Sequence, residues 1–416
     1  MSAAMAGASS LWAADQAAPP SSSPAAPPSP WSVSASVSAK ESFDDNVYLQ
    51  SVTSNANRQS IISTVIPAVA VAYKPSGLFN AAITYAPEIN VFDSDSSENN
   101  ILHRTSMALG GRMDQTSWDV AQSLIFIEGN ADGPTWTGPG GAPAGGGIPI
   151  RDRREAVIER GQFRVTQTIG QWFVRPVLSG YFHDFETDHK TTAGYQNYVN
   201  RNDLNGGVDL GYEAAKSVWL VAGYRYGVQN QAQLFSAINP EHYDNTYHRV
   251  LFGSEGKVGD WLTLAVSAGP EFRYYDGIVA SGFDRNELYA YSDTTITVTP
   301  TKTDSVTFLA KRFEQPAFGG RATYIDTTYD LSWRHQFTDK FTMGIGGRGY
   351  NLDFKPSSDR NDWILTAYAV ASYVFNPHLS AEASYAYNDG ESLVPNTAGR
   401  QFTQNLLAVG LKYVFQ

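Results

Sequence analysis

The C-terminal end of the chain alternates between two kinds of side chain. Leu407, Val409, Leu411, Tyr413 and Phe415 recur at every second position, and the residues between them are smaller or polar except for one leucine and one valine. Successive side chains of a β-strand point to opposite faces, so a period of two predicts a strand with one apolar and one mixed face. The chain therefore needs a strand-based fold that offers two different surroundings.

The same pattern recurs along the chain in units of strand, very short turn, strand and longer polar loop. Seven short turns are evident, at residues 74–77, 114–117, 169–171, 215–217, 258–260, 338–340 and 376–378. Most of them are flanked by an aromatic residue, namely Phe79, Trp118, Trp172, Trp219, Trp261 and Phe341. Such regular flanks are typical of the aromatic girdle of a membrane β-barrel.

Composition supports a membrane role that depends on strands. No apolar run reaches the ~18 residues that a membrane helix requires. Closed barrels are then the remaining way to satisfy every backbone polar group in lipid. The formal net charge of −11 argues against a nucleic-acid partner. The absence of cysteine suits an oxidising compartment.

Seven hairpins, a first strand near residues 31–41 and a last strand at 402–415 predict sixteen strands. We therefore expect an all-β fold, a transmembrane antiparallel up-and-down β-barrel. An even count places both termini at the end with the short turns, which faces the periplasm in such barrels, whereas the long loops face outward.

Residues 276–322 leave the strand count open, because they contain strand-like pieces at 288–299 and 305–313. These pieces form either a loop hairpin or two further membrane strands, which would make eighteen. We favour sixteen because the turn at 300–303 lacks a flanking tryptophan. Prolines 67, 87, 176 and 270 indicate bulges or ends of pairing, since proline removes a ladder donor. The continuous apolar run at 124–127 indicates a bulge or an apolar contact in the lumen.

The N-terminal region divides into two short segments before the barrel. Residues 1–14 are small and mildly apolar, as in the remnant of a signal peptide, although the first basic residue is Lys40. Residues 15–30 are rich in alanine, proline and serine and predict a periplasmic tail. Residues 31–416 are predicted to form the barrel.

The stretch from Phe43 to Tyr48 reads aromatic-Asp-Asp-Asn-aliphatic-aromatic and follows the first strand. With the repeated hairpins and the aromatic C-terminus, it resembles the β-barrel porin families of Gram-negative outer membranes, although this chain ends on Gln416 rather than on the aromatic residue. The resemblance implies a diffusion pore in the bacterial outer membrane, surrounded by lipid and lipopolysaccharide, with no cofactor. It also implies that barrel-insertion machinery reads the C-terminal strand.

A barrel of sixteen to eighteen strands is wide enough for an aqueous channel, and charges on its lumen face then set selectivity. Phasing each strand from its apolar face predicts an excess of pore-lining cations. The predicted cations are Arg104, Arg112, Arg160, Arg164, Arg175, Arg225, Arg249, Lys257, Arg273, Arg334, Arg348 and Lys412, and the predicted anions are Glu88, Asp209, Glu213, Glu255, Glu271, Asp330 and Glu382. This excess predicts passage of small polar or anionic solutes. The alternative is that the charges pair with one another and brace an unselective wall.

Arg151, Arg153 and Arg154 lie in the Gly/Pro-rich loop 129–157. They would line a constriction if this loop folds inward, and otherwise they are solvated or contact lipopolysaccharide phosphates.

Enzyme functions have little support, because histidine is scarce and no H-E-x-x-H or G-x-S-x-G motif is present. Residues 93–95 and 44–46 have the acidic character of calcium loops, but acidic turns without metal are commoner, so we expect no metal. A second function remains open, in which the barrel is a conduit or anchor in a larger envelope or export complex. A homo-oligomer is also left open.

Overall fold

The protein forms one closed antiparallel sheet of eighteen strands, as seen in a computed structural model. The structure describes residues 29–47, 49, 59–75, 79–94, 96–129, 155–185, 200–232, 241–317, 323–355, 360–392 and 401–415. Each strand pairs with its neighbours in sequence, and β1 pairs with β18 to close the barrel. The all-β up-and-down barrel predicted from the sequence is confirmed.

The strands are similar in length and run up and down in chain order. Their bounds are β1 Trp31–Asp44, β2 Ser60–Tyr73, β3 Phe79–Phe92, β4 Asn100–Met113, β5 Thr116–Gly129, β6 Ala156–Ile169, β7 Trp172–Phe185, β8 Arg201–Ala215, β9 Val218–Gln231, β10 Asn245–Val258, β11 Leu262–Tyr275, β12 Asn286–Val298, β13 Asp304–Pro316, β14 Thr323–Gln336, β15 Phe341–Phe354, β16 Asn361–Asn376, β17 Leu379–Ser392 and β18 Phe402–Phe415. A single turn of 3-10 helix at Ser96–Glu98 separates β3 from β4. No helix in the described ranges is long and apolar enough to span a membrane.

The preferred count of sixteen strands is corrected to the alternative count of eighteen. The two strand-like pieces are β12 and β13, and both belong to the barrel wall. The turn between β12 and β13 has no flanking tryptophan of its own. Trp333 of β14 occupies the corresponding place, and its Nε1 donates to Asp304 Oδ1 at 3.0 Å. Thr301 Oγ1 also accepts from Asp304 N at 3.0 Å, which closes the turn locally.

The two faces of the wall have opposite character. On β18, Leu407, Val409, Leu411, Tyr413 and Phe415 are exposed on the outside, as the alternation predicted. Such a surface suits hydrocarbon, because exposed side chains of this kind would be unfavourable in water. The inward face carries the polar and charged residues, and both termini of the described barrel lie at the end with the short turns, called here the short-turn end. The opposite end is called the long-loop end.

The prolines interrupt ladders inside strands rather than ending them. Pro67 and Pro87 lie in a gap between the pairs Val65–Ile89 and Val69–Tyr85 of β2 and β3. Pro176 lies in the gap between β6 and β7, and Pro270 in the gap between β10 and β11. The loss of a backbone donor is therefore confined to a few residues, and the barrel continues around it.

The apolar run 124–127 on β5 makes an apolar contact in the lumen, which is one of the two alternatives that the sequence left open. Leu124 faces outward, whereas Ile127 is fully buried on the inside with Leu102, Ile158 and Phe185. Both faces of β5 are thus apolar near the long-loop end, and no bulge is needed.

The stretch that resembles the porin families closes the barrel. Asp45 Oδ1 accepts from Asn405 N at 2.7 Å, and its Oδ2 accepts from Asn405 Nδ2 at 2.6 Å. Asp44 Oδ2 accepts from Gln404 Nε2 at 2.9 Å, and Asn46 Nδ2 donates to Thr403 O at 2.8 Å. These residues clamp the long-loop end of β1 to the long-loop end of β18, which gives the motif a structural role.

Candidate pore wall and constriction

Alternation places the predicted pore-lining residues on the face opposite the exposed apolar side chains. Many of them meet carboxylates of neighbouring strands there. The ion pairs among the described residues join Arg104 to Glu88, Arg164 to Asp119, Arg175 to Asp209 and Glu255, Arg225 to Asp209, Arg249 to Glu271, Arg273 to Glu271 and Glu314, and Arg348 to Asp330.

A bridge of charges crosses β7 to β10 on the inside of the wall. Arg175 Nε lies 3.0 Å from Asp209 Oδ2, and its Nη1 lies 2.7 Å from Glu255 Oε1. Arg225 Nη1 lies 2.7 Å from Asp209 Oδ1, so one carboxylate joins two arginines. Four strands are tied together by side chains that a barrel in lipid cannot expose outward. This part of the wall fits the bracing role better than the selective one.

A second network fills the lumen beside β10, β11 and β12. Glu271 is fully buried between Arg249, at 2.5 Å, and Arg273. Tyrosine rings enclose the arginines, with Arg249 Cζ 3.6 Å from the ring centre of Tyr291 and Arg273 Cζ 5.0 Å from that of Tyr247. Stacked guanidinium groups that are also paired with carboxylate are held rigidly.

A smaller pair lies on β14 and β15. Arg348 Nε donates to Asp330 Oδ2 at 2.6 Å, and Tyr368 Oη donates to Asp330 Oδ1 at 2.9 Å.

Four predicted pore cations form no ion pair within the described part of the chain: Arg112, Arg160, Lys257 and Arg334. Arg112, Lys257 and Arg334 are exposed and lie near the short-turn end of their strands, whereas Arg160 lies toward the long-loop end and packs over Tyr181, 5.0 Å from its ring centre. The short-turn end thus carries three exposed cations that form no ion pair among the described residues.

The lumen is constricted where β13 leaves the wall. The ladder between β12 and β13 comprises only the seven pairs from Ser292–Arg312 to Val298–Val306. Beyond Arg312, β13 stays paired with β14 up to Pro316–Thr323 but no longer with β12. It contacts β9 instead, although β9 is four strands away along the sheet. The long-loop end of β13 therefore crosses the inside of the barrel.

Inward-facing side chains of distant strands hold this end of β13, which we call the infolded segment (residues 313–317). Arg201 Nη1 of β8 donates to Pro316 O at 2.6 Å. Gln229 and Gln231 of β9 donate to Glu314 O and Ala317 O, at 3.2 and 2.6 Å. On the other side, Tyr289 Oη accepts from Glu314 N at 3.1 Å.

The infolded segment also brings a carboxylate into the arginine network. Glu314 has the same strand parity as Phe308, which faces outward, but the inward bend places its side chain against Arg273 and Tyr275. Ala317 joins Tyr324, Tyr350 and Leu49 in a buried cluster under the long-loop end. The constriction is thus built from the end of a wall strand.

The predicted constriction residues Arg151, Arg153 and Arg154 lie outside the described residues, as do residues 1–28. The sequence phasing missed two lumen residues. Lys40 has the same parity as Ser38, which lies opposite Lys412, and Asp119 is the ion-pair partner of Arg164. Alternation along the strands is enough to assign both residues to the lumen. It does not assign Glu314 to the lumen, because the position of that side chain depends on a bend of β13 that no local sequence pattern predicts.

The acidic stretch 44–46 has protein partners, since Asp44 and Asp45 are engaged in the closure of the barrel. At the other acidic stretch, 93–95, the backbone N–H groups of Phe92 and Ser94 donate to Asn99 Oδ1 and Ser60 Oγ. No group of metal-ligating side chains occurs in the ranges that the structure describes.

Comparison with known proteins gives one family and several solved barrels. The family described as Putative beta-barrel porin 2 matches residues 288–415. No curated protein matches the sequence. The outer membrane protein OpdK from Pseudomonas aeruginosa is 11% identical with a TM-score of 0.41, over 92% of this chain and 99% of that one. OccK2 (OpdF) from the same organism is 9% identical with a TM-score of 0.44, over 92% and 98%.

A third solved structure, the FrpB iron transporter from Neisseria meningitidis, is 9% identical with a TM-score of 0.44, over 92% of this chain and 81% of that one. The family match begins in β12 and ends in β18. Those strands are inseparable from the rest, because β18 pairs with β1 and β12 with β11 in one continuous sheet with an apolar outer face. Residues 288–415 are therefore similar to a β-barrel porin family, and they form one closed barrel with the rest of the described chain.

Proposed function

We propose that the protein is a channel for passive diffusion of small polar solutes, with a mild preference for anions. The observation that carries this proposal is the closed barrel whose inner face is charged and whose outer face is apolar. Pairing divides the inner charges into two groups. The paired arginines brace the wall, and the unpaired cations at the short-turn end attract anionic solutes.

The sign of the preference follows from the residues left without a partner. Arg112, Lys257 and Arg334 have no carboxylate partner among the described residues. Near the same end, the predicted lumen anions are Glu213, whose Oε1 accepts from Ser217 N at 3.0 Å, and Glu382, which lies near Lys40 and Lys412. Unpaired cations at this mouth raise the local anion concentration, because low-dielectric walls focus their field.

Recording of single channels in planar bilayers with a salt gradient tests the proposal. We expect a reversal potential that indicates anion preference. Arg334→Gln should reduce this preference, whereas Arg334→Lys should keep it. The double variant Arg164→Gln with Asp119→Asn removes a braced pair without changing net charge and should leave the preference unchanged. A reversal potential on the cation side would contradict the anion preference, and absence of conductance would contradict the channel itself.

A further inference from the structure

The feature that carries a further inference is the unfinished seam between β12 and β13. Its ladder stops at Ser292–Arg312, although β12 continues to Asn286 and β13 to Pro316. Continuing the same register would place Ala290 opposite Glu314 and Leu288 opposite Pro316. Both strands are long enough to finish the seam, and it is left open on the long-loop side only.

The backbone edge of β13 has two alternative sets of partners. In the structure, Glu314 N donates to Tyr289 Oη, while the carbonyls of Glu314, Pro316 and Ala317 accept from side chains of β8 and β9. In a completed seam, alternate groups of the same edge would pair with the backbone of β12. Pro316 has no N–H, so in either arrangement its backbone can only accept hydrogen bonds.

The infolded arrangement is not fully satisfied. Glu314 Oε2, Gln315 Nε2 and Thr323 Oγ1 are buried without a hydrogen-bond partner among the residues that the structure describes. Glu287 at the edge of β12 lies close enough to Glu314 for their charges to interact, and Lys355 Nζ reaches Glu287 Oε2 at 3.2 Å. Unsatisfied buried polar atoms lower the stability of the state that contains them, so the completed seam is a competitive alternative.

We propose that the infolded segment is a gate: residues 313–317 swing between the lumen, where they narrow the channel, and the wall, where they complete the seam with β12. The barrel is closed below Ser292–Arg312 in both states, so the motion involves only the long-loop half of one strand and the β14 end paired with it. The conductance difference depends on the proposed channel function, whereas the motion itself does not.

The absence of cysteine makes the gate testable by cross-linking in the full chain. Leu288→Cys with Pro316→Cys reports the completed seam, because the two positions are opposed only if the ladder continues beyond Ser292–Arg312, whereas Pro316 O now accepts from Arg201 of β8. Gln231→Cys with Ala317→Cys, joined by a short bifunctional thiol reagent, reports the infolded state. Val298→Cys with Val306→Cys is the matched control, since this pair is opposed in both states.

We expect disulfide formation in the Leu288/Pro316 variant in lipid vesicles, slower than in the control, because a minor state of this kind is occupied ~0.1–10% of the time. In single-channel recordings the Leu288/Pro316 disulfide should hold the higher conductance level, and the Gln231/Ala317 cross-link the lower one, with loss of transitions between them. Reduction of the disulfide should restore the behaviour of the unmodified chain, which also shows that the variant is folded.

Failure of the Leu288/Pro316 pair to cross-link under conditions where Val298/Val306 does would overturn the gate. Equal conductance of the two locked forms would overturn its role in narrowing the channel. Cross-linking is read on gels, so it decides the motion separately from the proposed function: a barrel that cross-links but does not conduct would retain the gate and lose the channel.

Discussion

The barrel has two seams of unequal strength, β1–β18 and β12–β13. The first joins the chain ends through ten residue pairs, from Ala35–Phe415 to Asp44–Leu406, and is extended at its long-loop end by carboxylate–amide hydrogen bonds. The second joins adjacent strands through seven pairs and is open at the same end. The β1–β18 seam, which costs more conformational entropy to form, is therefore the one that is fully paired at its long-loop end.

This difference has a physical reason. Closing β1 on β18 brings together residues separated by nearly the whole chain, and the entropy cost of closure grows with loop length. Charge-assisted hydrogen bonds are among the stronger local interactions available to offset it. The strands β12 and β13 are joined by a short turn, so their short-turn halves pair readily. The long-loop half of β13 can therefore contact other strands instead of β12.

The largest expected effect is on the β12–β13 side, where Arg273→Met removes the cation between Glu271 and Glu314. Both carboxylates would stay buried beside each other without their common partner. We expect a loss of about 3–5 kcal/mol in the free energy of unfolding. Urea unfolding in lipid vesicles measures it, and a loss below that of an exposed pair such as Lys311–Asp293, at 3.9 Å, would contradict the structural role of the network.

The next largest effect tests the closure of the barrel. Asp45→Ala leaves the backbone N–H and side-chain amide of Asn405 without their acceptor, at a cost of about 1.5–3 kcal/mol in the free energy of unfolding. Asp45→Asn should lose less, because its amide oxygen still accepts one hydrogen bond. The same measurement applies, and equal stability of Asp45→Ala and the unmodified chain would remove the contrast between the two seams.

The features of the two seams differ in how far the sequence predicts them. The β-barrel and its outer face follow from alternation, which is local: the phase of β18 is readable from Leu407 to Phe415 alone. The Asp45–Asn405 clamp joins residues 360 positions apart, so the motif was visible but its partner was not. The strand count was misjudged because the tryptophan of the β12–β13 turn is Trp333, supplied by a later strand.

Glu314 marks the limit of reasoning from strand parity. Its position on β13 predicts an outward-facing side chain, as for Phe308, and a carboxylate there would be expensive in lipid. The bend beyond Arg312 turns that face inward, toward Arg273. At Glu314 a charged residue at an outward parity thus coincides with a strand end that leaves the wall, and the direction of that end depends on distant side chains such as Arg201 and Gln231.

A moderate effect is expected where a neutral hydrogen bond holds the infolded segment. Gln231→Leu removes the donor to Ala317 O and the acceptor for Tyr243 N while it keeps a side chain of similar size, so we expect a loss of about 1–3 kcal/mol in the free energy of unfolding. The matched variant at the other seam is Gln404→Leu, which removes the donor to Asp44 Oδ2 and should cost more because the acceptor is charged. The reverse order would contradict the ranking of the seams.

The smallest effect is expected at the turn that joins β12 to β13. Asp304→Asn keeps an acceptor for Trp333 Nε1 and Thr301 Oγ1 while removing the charge opposite His335 Nδ1, 2.8 Å away. The side chain of Asp304 is partly exposed and the paired half of the seam continues above it, so the free energy of unfolding should change by less than about 0.5 kcal/mol. A loss several times larger would mean that the turn, rather than the seven-pair ladder, holds the two strands together. The β12–β13 seam would then be weak at both ends, and its open long-loop half would no longer be a local exception in a well-paired wall.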